Sequence, residues 1–153
     1  MKKILSLAIF LGFSAVAAAI GAMAPSFVAY NQLKQPFFAP PGWLFGPAWT
    51  LLYVLMAVAA WLVWLKRKEV KVKPALILYG VQLVLNAFWT LLFFTWQLRL
   101  LAVIEIIVLL ITIIITAIVF YRVKKLSGAL MAPYIAWVSF ATVLCSAVWW
   151  LNR

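Results

Sequence analysis

Residues 100–121 read LLAVIEIIVLLITIIITAIVFY, and Glu105 is the only charge among them. As a helix this run measures roughly 32–35 Å, which crosses a hydrocarbon core of about 30 Å. The same pattern recurs along the chain, with apolar runs at 4–24, 43–65, 75–96, 100–121 and 130–151. Each is about 21–23 residues, the length a membrane-spanning helix needs. Period-2 alternation is absent from all five, which excludes a membrane barrel. The sequence therefore predicts an all-α membrane protein, a bundle of five transmembrane helices forming one domain over 1–153, with a lid-like loop at 25–42.

Composition points the same way. Apolar residues make up 69% of the chain and charged residues 10%, against soluble norms of about 45–50% and 25%. A water-soluble fold of this size could not hide so much apolar surface, whereas lipid tolerates it. The net charge of +11 would suggest nucleic acid if it were clustered on one surface. It lies instead between the apolar runs, where basic loops mark topology and contact anionic headgroups; no nucleic-acid partner is expected.

The loops set an orientation. Lys2, Lys3, Lys66, Arg67, Lys68, Lys71, Lys73, Arg122, Lys124 and Lys125 fall on one side of a five-span chain, and Lys34, Arg99 and Arg153 on the other. That bias predicts a cytoplasmic N-terminus in a bacterial cell membrane. The first run, with Lys2 and Lys3 before it and small residues at Gly21 to Ala24, also resembles a signal peptide. It exceeds the usual signal core of about 7–15 residues. Ser14, Ala18 and Ala22 lie four apart on one close-packing face; retention as a mature helix is the expectation.

Several chemistries are excluded outright. There is no histidine, one cysteine (Cys145) and two acids, so no internal disulfide, zinc or iron site or nucleophilic triad can be assembled from this chain. No resident cofactor is expected. Polar groups inside the spans are costly and therefore informative. Gln82, Asn86 and Trp89 fall at i, i+4 and i+7 on one helix face, flanked by Thr90 and Phe93. The spacing alone fits polar glue between helices and a ligand site equally well. Trp49 and Tyr53 share a face of the second run. Trp61, Trp64, Trp149 and Trp150 sit near span ends, as interface anchors do. Nine tryptophans exceed what two interfacial belts require. The inner ones, Trp49, Trp89 and Trp137, offer π faces and N–H donors to a planar apolar ligand. Glu105 is expected near the headgroups, pairing or hydrogen bonding with Arg99. The loop 25–42 carries Phe27, Tyr30, Phe37 and Phe38 and closes on Pro40-Pro41-Gly42-Trp43; it reads as an aromatic belt or as a lid over a cavity.

Three motifs then carry a resemblance. Gln35-Pro-Phe-Phe-Ala-Pro-Pro-Gly-Trp-Leu-Phe-Gly-Pro-Ala-Trp49, Gln82-Leu-Val-Leu-Asn86-Ala-Phe-Trp89-Thr-Leu-Leu-Phe-Phe94 and Pro133-Tyr-Ile-Ala-Trp137-Val-Ser-Phe-Ala-Thr142 are similar to signatures of the TspO/MBR family (tryptophan-rich sensory protein, translocator protein, peripheral-type benzodiazepine receptor). The match runs in order over nearly the whole chain. The resemblance implies a homodimeric five-helix bundle that binds porphyrins or haem-related tetrapyrroles, sterols in animal members, and synthetic isoquinoline carboxamides or benzodiazepines. It implies a pocket lined by Tyr30, Trp49, Tyr53, Asn86, Trp89, Phe93, Trp137 and Ala141. Trp49 and Trp137 match tryptophans tied to light-dependent porphyrin breakdown, which would make them the catalytic residues of a photo-oxidative enzyme. A structural membrane protein without a ligand is the third reading.

The chain departs from the family pattern in places. Leu91 stands where a proline is common, predicting a straighter third helix. Cys145 stands where asparagine is common. Residues 143–153 hold no tyrosine, which puts sterol binding by the usual C-terminal pattern in doubt.

Overall fold

The structure, a computed structural model, describes residues 2–22 and 32–153. Its helices are α1 (Lys2–Ala22), α2 (Phe45–Leu65), α3 (Lys73–Thr90), α4 (Arg99–Val123), α5 (Lys125–Leu130) and α6 (Ala132–Leu151). A 3₁₀ turn, Gly42–Leu44, leads into α2, and a π-helical segment, Leu91–Thr95, extends α3. No strand occurs among the described residues. Five stretches among them are long and apolar enough to cross a membrane, α5 and α6 together making the fifth (Lys125–Leu151). The fifth span thus starts before position 130, as a short helix on the basic side. Pro133 cannot donate an N–H, and it opens α6 within its first two positions, where that N–H is not needed. Pro74 plays the same part in α3.

The helices alternate direction, so Lys2 and Lys3, the 66–73 turn and Arg122 to Lys125 gather at one end of the bundle. α2 is the central helix and touches all the others. Met56, Ala57, Ala59, Ala60 and Val63 are fully buried along it, and the alanines let neighbouring backbones approach closely. α1 packs on α2 and α3, and α4 packs on α3, α5 and α6. On the α1 face read as close-packing, Ser14 is buried and shares a 2.8 Å hydrogen bond with the Tyr79 hydroxyl, and Ala18 is half-buried. The side chain of Ala22, the last member of that face, lies outside the described residues.

Five hydroxyls within the spans are satisfied by their own helices. Thr112, Thr116, Ser139, Thr142 and Ser146 each donate to the carbonyl four residues back, at 2.7–2.9 Å, so lipid meets no bare O–H. Gly128 brings α5 against α4. A Cβ at that position would lie 2.7 Å from the Tyr121 Cα and 2.9 Å from its nitrogen.

The expected straightening of the third helix is overturned beyond Thr90. The Trp96 N–H donates to the Leu91 carbonyl at 2.8 Å, and the Leu98 N–H to the Leu92 carbonyl at 2.8 Å. These are wider turns than an α-helix makes. The widened turn buries Leu92 and Phe93 side by side, and Gln97 closes it with φ 55°. Removing a proline removes one cause of bending; the chain reversal into α4 supplies another.

Candidate functional site

Four side chains from three helices form a continuous buried hydrogen-bond chain. The Tyr53 hydroxyl (α2) donates to Asn86 Oδ1 (α3) at 2.9 Å. Asn86 Nδ2 donates to the Tyr134 hydroxyl (α6) at 2.7 Å. That hydroxyl donates to Gln82 Oε1 at 2.8 Å, and Gln82 Nε2 donates to the Tyr79 carbonyl at 3.0 Å. Gln82 and Tyr134 are fully buried, and Asn86 is 2% exposed. In lipid such contacts contribute about 0.6–2 kcal/mol each. Asn86 therefore ties α3 to α2 and α6, the polar glue that its spacing allowed.

Aromatic rings stand on this chain. Trp49, one turn before Tyr53, lies 5.8 Å from the Tyr53 ring, 6.2 Å from Tyr134 and 6.4 Å from Trp137, centroid to centroid. Trp137 also meets Phe45 and Phe140, each at 5.9 Å, and Phe140 meets Phe38 at 6.3 Å. Edge-to-face rings at these distances hold one another's orientation. The run thus leads from the buried tyrosines out to the loop after α1.

That loop is fastened where it is described. Asn152, just past α6, accepts from the Lys34 N–H at 3.0 Å and donates to the Lys34 carbonyl at 2.9 Å. Its Nδ2 also reaches the Val148 carbonyl at 2.8 Å. One side chain thus clamps the segment against the last turn of α6, with Phe38 seated on Phe140. Tyr30 and Phe27, expected in the same loop, lie outside the described residues.

Trp89 belongs to a second aromatic group. It stacks on Phe93 at 5.3 Å and 20° between planes, and meets Phe94 at 6.0 Å. The ring contacts thus divide the three inner tryptophans into a pair, Trp49 with Trp137, and a separate Trp89 one turn beyond Asn86. Ala141 and Phe93 are buried, Ala141 one turn along α6 from Trp137. Trp137 Nε1 is buried with no hydrogen-bond partner among the described residues, whereas the Trp89 indole interacts with the Cys145 thiol of α6. An indole N–H beside aromatic faces can serve a planar ligand that carries acceptor atoms.

The reading of Glu105 is corrected. It is buried among the helices at 8% exposure, and the expected pairing with Arg99 is absent. Neither carboxylate oxygen has a partner among the described residues, and Arg99 Nε is likewise unpaired. Arg99 sits over the Phe93 ring instead, 6.0 Å from its centroid. Arg99 opens α4 and Glu105 lies more than a turn and a half along it, which turns the two side chains to different sides of the helix.

Sequence reasoning missed Tyr134 as a site residue, although it links Asn86 to Gln82. The available signal was a tyrosine three residues before Trp137, within an apolar span where a hydroxyl needs a partner.

Fold and site together define an integral, multi-pass membrane protein whose interior is a tyrosine–amide chain faced with tryptophan. The TspO/MBR family profile matches residues 6–151. The chain is 37% identical to the tryptophan-rich protein TspO of Chlorobaculum tepidum over 99% of its own length and 98% of that protein. It is 35% identical to the human translocator protein over 78% of its length and 72% of that protein. To the tryptophan-rich sensory protein of Cereibacter sphaeroides the figures are 34%, 90% and 87%. This chain belongs to the TspO/MBR family.

Proposed function

We propose that the protein binds a porphyrin or related tetrapyrrole between α2, α3 and α6, and works in the sensing, transport or homeostasis of that ligand. The observation carrying this reading is the contact of Trp49 with Trp137 above the Tyr53–Asn86–Tyr134 chain. A flat apolar macrocycle matches the indole faces, and its carboxylates or ring nitrogens match the unpaired Trp137 N–H and the amide. The lining comprises Trp49, Tyr53, Asn86, Trp89, Phe93, Trp137 and Ala141, with Tyr30 added from the loop. Synthetic isoquinoline carboxamides and benzodiazepines, also planar, compete for the same space. A sterol is a weaker candidate, since 143–153 lacks a tyrosine. The protein works as a homodimer in a bacterial cell membrane with its N-terminus in the cytoplasm, the side favoured by the basic loops.

Titration of purified protein with protoporphyrin IX in darkness, followed by tryptophan quenching, tests the binding. Wild type should saturate. Trp49→Phe combined with Asn86→Ala should weaken affinity by roughly tenfold or more, the loss of about one good buried polar contact. Unchanged affinity would place the ligand elsewhere.

A second reading is light- and oxygen-dependent porphyrin breakdown. It is favoured by two tryptophans at 6.4 Å with two tyrosine rings beside Trp49, a ready sink for oxidising equivalents from an excited porphyrin. Illumination of the complex in air should bleach the Soret band faster than in the Trp49→Phe/Trp137→Phe variant. Equal rates would leave a binding protein with no such activity.

A further inference from the structure

On the far side of α3 from the tryptophan pair, α1 and α3 enclose an open groove of about 780 Å³. Its walls are Ile9, Phe13, Val16 and Ile20 from α1 and Leu83 and Val84 from α3, and most of these side chains are exposed. The polar atoms along it are already engaged. The Tyr79 hydroxyl bonds Ser14 and the Phe10 carbonyl at 2.8 and 3.1 Å, and Ser6 Oγ bonds the Trp61 indole and the Lys3 carbonyl at 3.0 and 2.8 Å. The groove therefore presents carbon to its occupant. From Ser6 to Ile20 it runs roughly 21 Å, more than the depth of one leaflet, about 15 Å.

Its two ends differ. At the Ser6 end, three cations stand about one turn from a lining residue: Lys3 before Ser6, Lys73 before Leu76, and Arg67 after Trp64. The Arg67 guanidinium lies 3.3 Å from the Trp64 ring centroid, and its Nη1 donates to the Trp64 carbonyl at 3.2 Å, which fixes the charge at the mouth. The chain has two acids; Glu69 is paired with Lys66 at 3.0 Å, and Glu105 is buried in α4. The mouth thus carries Lys3, Lys73 and a positioned Arg67, and the carboxylate at this end, Glu69, is taken by Lys66.

We propose that this groove is a binding site for an anionic phospholipid, one acyl chain lying along α1 and α3 and the phosphate held by Lys3, Arg67 and Lys73. Clustered cations at a span's end recognise such headgroups. A second copy of the chain fits the groove less well. A two-fold axis along the membrane normal would bring both basic mouths to the same level and face like charges together.

Native mass spectrometry of the detergent-purified chain, offered phosphatidylglycerol and phosphatidylcholine with identical acyl chains, tests this. Wild type should retain one phosphatidylglycerol per chain in preference to phosphatidylcholine, by about fivefold for each engaged cation. Lys3→Gln/Arg67→Gln/Lys73→Gln should abolish the preference. Gly80→Phe should abolish retention, because Gly80 lines the groove and a Cβ there meets nothing within 4 Å. Unchanged helix content by circular dichroism certifies both variants as folded. Equal retention of the two lipids by wild type overturns the proposal. So does a Gly80→Phe chain that keeps its lipid while a dimer falls to a monomer, which would assign the groove to a second copy.

Discussion

Gly128→Val is expected to be the most damaging single substitution away from the tryptophan cluster, lowering stability by about 3 kcal/mol or more. The first atom of any side chain at 128 would lie 2.7 Å from the Tyr121 Cα and 2.9 Å from its nitrogen. These are backbone atoms of a helix, so no rotamer change relieves the clash. α5 must separate from α4, and α5 is the short helix that leads into α6. Overpacking by a methylene or two in a yielding site costs about 1–3 kcal/mol; here the neighbour cannot yield, so valine should reach or exceed that range and alanine should fall within it. The measurement is the thermal midpoint of detergent-purified protein, with the fraction of monodisperse material as a second readout. A valine variant as stable as wild type would show that α5 can move off α4 freely.

Asn86→Leu should have the next largest effect, and should act on stability and ligand affinity together. Leucine keeps asparagine's branched heavy-atom outline, with more volume, and removes the amide: the Tyr53 hydroxyl is left facing carbon, while the Tyr134 hydroxyl keeps its bond to Gln82. An orphaned buried hydroxyl costs about 1–3 kcal/mol in general. In a membrane the contacts themselves are worth less, about 0.6–2 kcal/mol, because the separated helices find other partners. A loss of about 1–4 kcal/mol overall is expected from those two ranges. The triple variant Asn86→Leu/Tyr53→Phe/Tyr134→Phe should recover part of it, since it removes the orphaned Tyr53 hydroxyl as well; Gln82 would then lose its partner on α6, so recovery stays incomplete. Protoporphyrin affinity should not recover, because the amide is gone in both. Parallel recovery of stability and affinity would mean that Asn86 serves packing alone.

The clamp at Asn152 and the π-helical turn at Leu91–Thr95 frame the site from its two open sides. One fastens the segment carrying Phe38 to the end of α6. The other turns Phe93 inward beneath Trp89. Both lie at the end of the bundle opposite the basic turns, where the mouth of the proposed lipid groove is placed.

What could be read without coordinates was whatever depends on composition and period. Five spans follow from apolar runs of helix length, because lipid allows only helices or closed barrels to cross it and period-2 alternation is missing. The shared face of Gln82 and Asn86 follows from helix geometry, and the inward placement of Trp49 and Trp137 was anticipated through resemblance to a known family. Tertiary structure decided the rest, because those features rest on which side chains from distant segments meet. Tyr134 is an ordinary aromatic in sequence and becomes the link between Asn86 and Gln82 only when α6 lies against α3. Glu105 and Arg99 looked like partners by proximity in sequence, yet the turn of α4 sends them apart. The straightness expected of α3 failed because a missing proline says nothing about the reversal that follows. The groove beside α1 was invisible for the same reason: its apolar walls read as ordinary lipid-facing residues until two helices and three cations were brought to one place.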